Sequence, residues 1–314
     1  MKVKLLIILF LISCYFSIMG CSATGMFNSY LVSSLEGSNS TLFESENYQL
    51  LEEALPSFII LLENAVANDP SDDVLLAKAA EINTFYALTF LEEKDARWAS
   101  LHYKQAKKYA WEVMKLRYDL QESDIVGQKD DKIQKILKKF KKKSVPDLFW
   151  LGMSWGLLIN LNKDDVTHVA EFPYVRMIME RVLDLKPDYQ NGLPYLFFGA
   201  YYGGSSPALG GNPEKGKEYF EKVIALTKGE FLTAKVMYAT TYARAIQDRK
   251  LYQQLLNDVI DAPEPTQKNF RMGNALAKKQ AQDALLKMDE YFVPESSESK
   301  EESFLDYYDE EIFE

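Results

Sequence analysis

The residue types that build reactive sites are nearly missing. The 314-residue chain has two cysteines, Cys14 and Cys21, and two histidines, His102 and His168. Two cysteines cannot make a disulfide framework or a thiolate zinc site, and two histidines leave little for a multi-histidine metal centre. Glycine, at 15 residues, and proline, at 11, are both used sparingly, which excludes collagen-like and low-complexity architectures. No sustained two-residue alternation marks a strand. Positive charge is not in excess either. The formal net charge of −10 argues against nucleic acid as the main partner. What is present is 47% hydrophobic and 26% charged, the composition of a globular chain long enough for one large domain or two small ones.

The N-terminus reads as a targeting segment. Lys2 and Lys4 precede an uncharged stretch, Leu5 to Gly20, shorter than the ~20 residues a membrane-spanning helix needs. It closes on Ile18-Met19-Gly20-Cys21-Ser22. A small residue before cysteine resembles the bacterial lipoprotein box, in which the cysteine becomes the lipidated first residue. An uncleaved anchor is the alternative. A multi-acyl group on Cys21 would hold the chain at a membrane face. Removal of Lys2 and Lys4 would take the net charge to −12. Cys14 would leave with the leader, so no free thiol would remain. Ser22, in place of an aspartate, slightly favours the outer membrane.

Four segments follow: a signal peptide over 1–20, a tether and N-terminal segment with a short helix over 21–45, an all-α domain over 46–293, and an acidic tail over 294–314. The apolar spacing predicts helices over 46–67, 71–92, 95–119, 130–142, 146–161, 172–185, 191–203, 213–227, 231–246, 249–261 and 267–291. The tail holds nine acids against Lys300, the composition of a solvated end, although Phe304, Tyr307, Tyr308 and Phe313 would suit a docking peptide. Residues 129–143 are the opposite, eight lysines against two aspartates. Ile133, Ile136, Leu137 and Phe140 recur there at helical spacing. The segment reads either as a basic amphipathic insertion packed on the body or as a surface for anionic lipid headgroups.

Degenerate repeats run through the helical region. The tetratricopeptide pattern places large and small residues so that two helices of a hairpin approach and the next hairpin fills behind them. Tyr86, Ala87, Phe90, Ala99, Tyr103 and Ala106 fit one unit. Leu151, Gly152, Trp155, Met179, Val182 and Pro187 fit a second, with a long insertion. Phe198, Gly199, Tyr202, Gly216 and Phe220 fit a third, and Tyr238, Ala239, Tyr242, Leu251, Leu255 and Pro263 a fourth. The fold expected is a tetratricopeptide-like helical-hairpin solenoid with insertions.

Residues 146–292 carry more specific strings. They include Pro146-Asp147-Leu148-Phe149-Trp150 with Gly152, Trp155, Gly156 and Ile159-Asn160, then Gly192-Leu193-Pro194-Tyr195 with Gly199 and Tyr201-Tyr202. The turn from Pro207 to Lys215 leads into Phe220. Leu232, Ala234-Lys235-Val236, Tyr242-Ala243, Asp248 and Asn274-Ala275-Leu276-Ala277 complete the set. This resembles the TatT family, tetratricopeptide-like lipoproteins associated with TRAP (tripartite ATP-independent periplasmic) transporters. The resemblance implies a periplasm-facing accessory component of solute uptake, without enzymatic activity. Its partners would be a periplasmic solute-binding protein and, through it, the permease; aromatics on the inner helices would suit a protein segment or an apolar small ligand. The alternative is a scaffold lipoprotein that assembles envelope complexes. A homo-oligomer is compatible with either.

Other chemistry finds little support. Gly203 to Lys215 superficially resembles a phosphate loop, but Gly216-Lys217 is followed by Glu218 and no strand precedes it. A tight turn with glycines at positive φ is expected instead. His102 and His168 have no motif nucleophile beside them, and Asp164-Asp165 reads as a helix cap. No cofactor pattern is present. Trp150, Trp155, Tyr195, Phe198, Tyr201, Tyr202, Tyr238 and Tyr242 fall on the first helices of successive hairpins, which line the concave face of a solenoid. Trp155, Asn160, Tyr202, Arg244 and Asn274 are the candidate ligand- or partner-binding residues, with Cys21 the lipidation site.

Overall fold

The computed structural model describes residues 46–292 and a few positions between 25 and 33, of which Asn28 and Val32 are buried. Cys21 and the acidic tail lie outside the described residues. Every regular element among the described residues is helical. The chain divides into two compact units, Met1–Tyr189 and Gln190–Glu314. At the division Gln190, Asn191 and Gly192 are consecutive left-handed residues, with φ of 43°, 61° and 91°. No helix can continue through such a run.

Unit 1 contains α1 (Tyr48–Asn68), α2 (Asp73–Tyr86), α3 (Ala96–Tyr118), α4 (Asp130–Leu137), α5 (Val145–Leu161), α6 (Val166–Ala170) and α7 (Phe172–Leu185). Unit 2 contains α8 (Leu193–Gly204), α9 (Pro213–Leu226), α10 (Thr233–Met237), α11 (Arg249–Ile260), α12 (Arg271–Leu286) and α13 (Met288–Tyr291). The starts follow from short polar caps. Asp72, Asp95, Asp165, Asn212 and Asp248 each accept a backbone N–H of the first turn, at 2.9–3.1 Å. Such a cap contributes about 1 kcal/mol. Pro146, Pro173, Pro194 and Pro213 sit in first turns, where no donor is lost.

Within unit 1, α2 packs on α3, α3 on α5 and α5 on α7. Ala79, Ala99 and Ala106 are fully buried, and Tyr103, Met114, Phe149 and Trp155 fill the space around them. Burial of each such large side chain stabilises by about 2 kcal/mol. The stretch Asp73–Leu91 is long and apolar enough to cross a membrane by composition, yet most of it is buried in this core. Within unit 2, α8 packs on α9 and α11 on α12. A Cβ on Gly216 would lie 2.5 Å from the backbone nitrogen of Gly203, so the two helices touch backbone to backbone.

Two helices, one in each unit, end alike. α2 runs into a π-helical turn, Ala87–Leu91, and α10 into another, Tyr238–Ala243. Each turn lies at a Tyr-Ala pair, Tyr86-Ala87 and Tyr238-Ala239. Side chains hydrogen-bond back along both helices ahead of or within these turns. Asn83 and Thr84 donate to the carbonyls of Ala79 and Ala80 at 2.9 and 2.8 Å, and Thr240 and Thr241 to those of Val236 and Met237 at 3.0 and 2.5 Å.

Some expected boundaries shift. The helix expected over 130–142 stops at Leu137, where a run of lysines begins. The one expected over 267–291 breaks between Leu286 and Met288. In the Gly203–Lys215 turn, Gly210 alone of the glycines has positive φ, at 85°. Gly203 and Gly204 belong to α8, and a Cβ on Gly211 would meet the carbonyl oxygen of Ser205 at 1.8 Å.

Candidate functional site

Unit 1 gathers aromatic and charged groups around Trp155. Its side chain is fully buried on α5. The indole N–H donates to Glu171 Oε2 at 2.7 Å, and Lys107 from α3 lies 4.2 Å from the ring centroid. Lys107 also pairs with Glu122 at 2.8 Å and Glu171 at 3.4 Å, while Trp111 meets Trp155 edge-on at 5.8 Å. Glu171 sits between α6 and α7, so the long insertion returns to the core through this carboxylate. A second cluster surrounds buried Asp147, which accepts from Arg117 at 2.7 Å and from the Tyr118 hydroxyl at 2.6 Å. Burial, with the hydrogen bond to Asp147, pushes the Tyr118 hydroxyl up to about 12. Asp147 and Trp150 line a depression with Ala77, Ala80, Ala110 and Val113 that encloses only about 10 Å³, room for a single water. That is below the 300 Å³ or more typical of small-molecule sites.

Unit 2 presents a ladder of rings on α8 and α9. Phe198 stacks on Tyr202 at 6.0 Å, and Tyr202 on Tyr219 at 5.9 Å with planes 7° apart. Tyr195 lies 6.0 Å from Tyr219. Lys215 donates to the Tyr202 hydroxyl at 2.8 Å, and Lys222 lies 4.9 Å from the Tyr219 centroid. Phe198 and Tyr202 are buried; Tyr195 and Tyr219 are half-buried, and Lys222 is exposed. The surface therefore offers stacked ring area beside an ammonium group.

The sequence candidates thus fall in different settings. Trp155 belongs to the first cluster and Tyr202 to the ladder. Asn274 is buried on α12: its carbonyl accepts from the Leu232 amide at 3.1 Å and its amide donates to the Glu230 carbonyl at 2.8 Å. Both ends hold the link between α9 and α10. Arg244 is exposed, with its guanidinium 4.1 Å from the Tyr291 ring centroid. Asn160 is exposed near the end of α5. Lys107, Glu171, Tyr219 and Lys222 were not among the candidates. The repeat rule directs attention to first helices, and Tyr219 and Lys222 lie on a second. A signal was available in the spacing of Tyr195, Phe198 and Tyr202, which leaves one face of rings needing a cover.

Other titratable groups are held in local hydrogen bonds. Burial lowers the His102 pKa, and its Nδ1 meets the Asn83 side-chain oxygen at 2.7 Å. Glu92 accepts from the Tyr103 hydroxyl at 2.7 Å, and burial raises the pKa of both. Asp165 caps α6, and its hydrogen bonds with Thr167 hold it below the usual carboxylate range. Among the described residues no cluster of three or more His, Cys, Asp and Glu could hold a metal ion.

Comparison with known proteins adds two findings. The model of the family described as TRAP transporter T-component matches residues 44–292, well over half of the chain and across both units. An uncharacterized protein of Treponema pallidum (strain Nichols) is 19% identical over 269 residues, covering 80% of this chain and 82% of its own.

Proposed function

Because the chain belongs to the TRAP transporter T-component family, we propose that it is an accessory, non-enzymatic component of a TRAP-type solute uptake system, and that it acts by docking the system's periplasmic solute-binding protein. It works at the bacterial envelope, facing the periplasm, and lipid on Cys21 holds it there, at the outer membrane. Through the binding protein it serves the permease.

The observation that carries this reading is the family match across residues 44–292. The ring ladder of unit 2 supplies the docking face. Tyrosine is among the usual anchors of a protein interface, and Tyr195 and Tyr219 offer half-buried rings at the surface, with Lys222 at the edge. The small size of the depression beside Trp150 favours a protein partner over an enclosed solute.

The test is calorimetric titration of the mature protein with the solute-binding protein encoded beside it. Binding is expected, and Lys222→Glu combined with Tyr195→Ala should weaken it about tenfold or more, the size of a hot-spot loss, with an unchanged circular dichroism spectrum. No binding by the wild type would sink the reading and favour a scaffold for other envelope complexes.

A further inference from the structure

We propose that the lysine-rich segment 129–143 is a docking surface for an anionic lipid bilayer. Its eight lysines stand against Asp130 and Asp131 on a chain of formal net charge −10, so the patch is no by-product of general basicity. All eight are exposed. The segment is fixed to unit 1 from beneath. Ile133, Leu137 and Phe140 are buried, the Phe140 ring meets Tyr118 edge-on at 5.0 Å, and Arg181 donates to the Phe140 carbonyl at 2.8 Å. Neutralisation within the segment is slight. Asp131 approaches Lys135 at 3.8 Å, between two exposed groups. The charge is therefore held on a prefolded surface.

Composition selects the partner. The segment has no arginine, and three of its four apolar side chains, Ile133, Leu137 and Phe140, are buried. Protein interfaces are depleted in lysine and enriched in aromatic residues and arginine at their centres. Paired recognition of a single carboxylate or phosphate calls for the planar guanidinium. Flexible, strongly hydrated ammonium groups without an apolar anchor match a diffuse field of negative headgroups. Contact of this kind is peripheral and weakens with salt. Each lysine near such a surface strengthens association about fivefold. A lipid on Cys21 would add to the effect by keeping the patch close to the bilayer, but the inference does not depend on it.

The test is sedimentation of the mature chain from Ser22, unlipidated, with two kinds of vesicle: phosphatidylcholine alone, and phosphatidylcholine mixed with phosphatidylglycerol. Association with the anionic vesicles alone is expected, with loss at high salt. A variant carrying Lys132→Gln, Lys135→Gln, Lys139→Gln and Lys142→Gln should lose about a hundredfold or more of that affinity, with unchanged thermal melting because all four side chains are exposed. Equal binding to both vesicles, or wild-type binding by the variant, would overturn the proposal. So would binding seen only after removal of residues 294–314, which would make the acidic tail the occupant of the patch. No transporter component enters the assay, so its outcome is independent of the docking reading above.

Discussion

Glu171 accepts the indole N–H of Trp155 at 2.7 Å, and Lys107 closes the triangle by approaching the same carboxylate. The triangle joins α3, α5 and the insertion that follows α5. Trp155→Ala should destabilise the protein by about 3–5 kcal/mol, the usual cost of emptying a tryptophan site. Trp155→Phe removes the donor and part of the volume, and should cost less. Urea unfolding of the variants measures this. A loss under 1 kcal/mol for alanine would contradict the packing described.

Gly216 and Gly273 should respond in opposite directions to alanine. A methyl on Gly216 meets the Gly203 backbone at 2.5 Å, whereas nothing lies within 4 Å of one on Gly273. Gly216→Ala must push α8 from α9, at about 1–3 kcal/mol. Gly273→Ala, inside α12, should gain about 0.5–1 kcal/mol from lower backbone entropy in the unfolded chain. Melting temperatures that shift the same way would refute the contrast.

Glu92 provides a pH dependence with a definite sign. Burial raises its pKa above the ordinary carboxylate value. The folded state then holds a proton that the unfolded state has lost, so stability falls as pH rises from about that value through the folded one. Glu92→Gln retains an acceptor for Tyr103 without a charge. The difference in urea midpoint between variant and wild type should therefore grow in favour of the variant between acidic and neutral pH. A constant difference would show that the carboxyl titrates alike in both states.

Buried Asp147 is compensated by Arg117, with the Tyr118 hydroxyl as a second donor. Removing one partner of a buried pair leaves the other uncompensated, at about 3–5 kcal/mol. Arg117 is partly exposed, with 27% of its side-chain surface accessible, so Arg117→Met should fall at the low end of that range. Arg117→Met with Asp147→Leu should recover part of the loss. A double-mutant cycle from denaturation curves checks this. Additive losses would mean that the two residues do not act as a pair.

Much of the fold is legible in the sequence because its punctuation is local. Asp72, Asp95, Asn212 and Asp248 mark helix starts within their own turns, and Gly199 and Gly216 mark where helices close on each other. Where an outcome depended on something distant, the sequence was silent. Nothing near Phe140 indicates that Arg181, on α7, captures its carbonyl as α4 ends. Nor does anything local in the sequence mark Ala87–Leu91 or Tyr238–Ala243 as π-helical turns. The site shows the same division. Trp155 and Tyr202 could be found from repeat spacing, but Glu171, Lys107 and Tyr219 reach them from other elements. The two amide hydrogen bonds of Asn274 are invisible without the loop it holds.

The π-helical turns have a consequence for how the chain tolerates changes in length. A π turn fits one more residue into a helix while both flanks keep their bearing on the core. Ala87–Leu91 and Tyr238–Ala243 are thus places where a residue has already been accommodated. Dropping one there returns the turn to ordinary α geometry. Dropping one from the middle of α3 instead rotates all that follows by about 100°, since a turn holds 3.6 residues, and carries Tyr109 and Met114 off the core face. The two helices are forgiving of length at one turn each and unforgiving elsewhere.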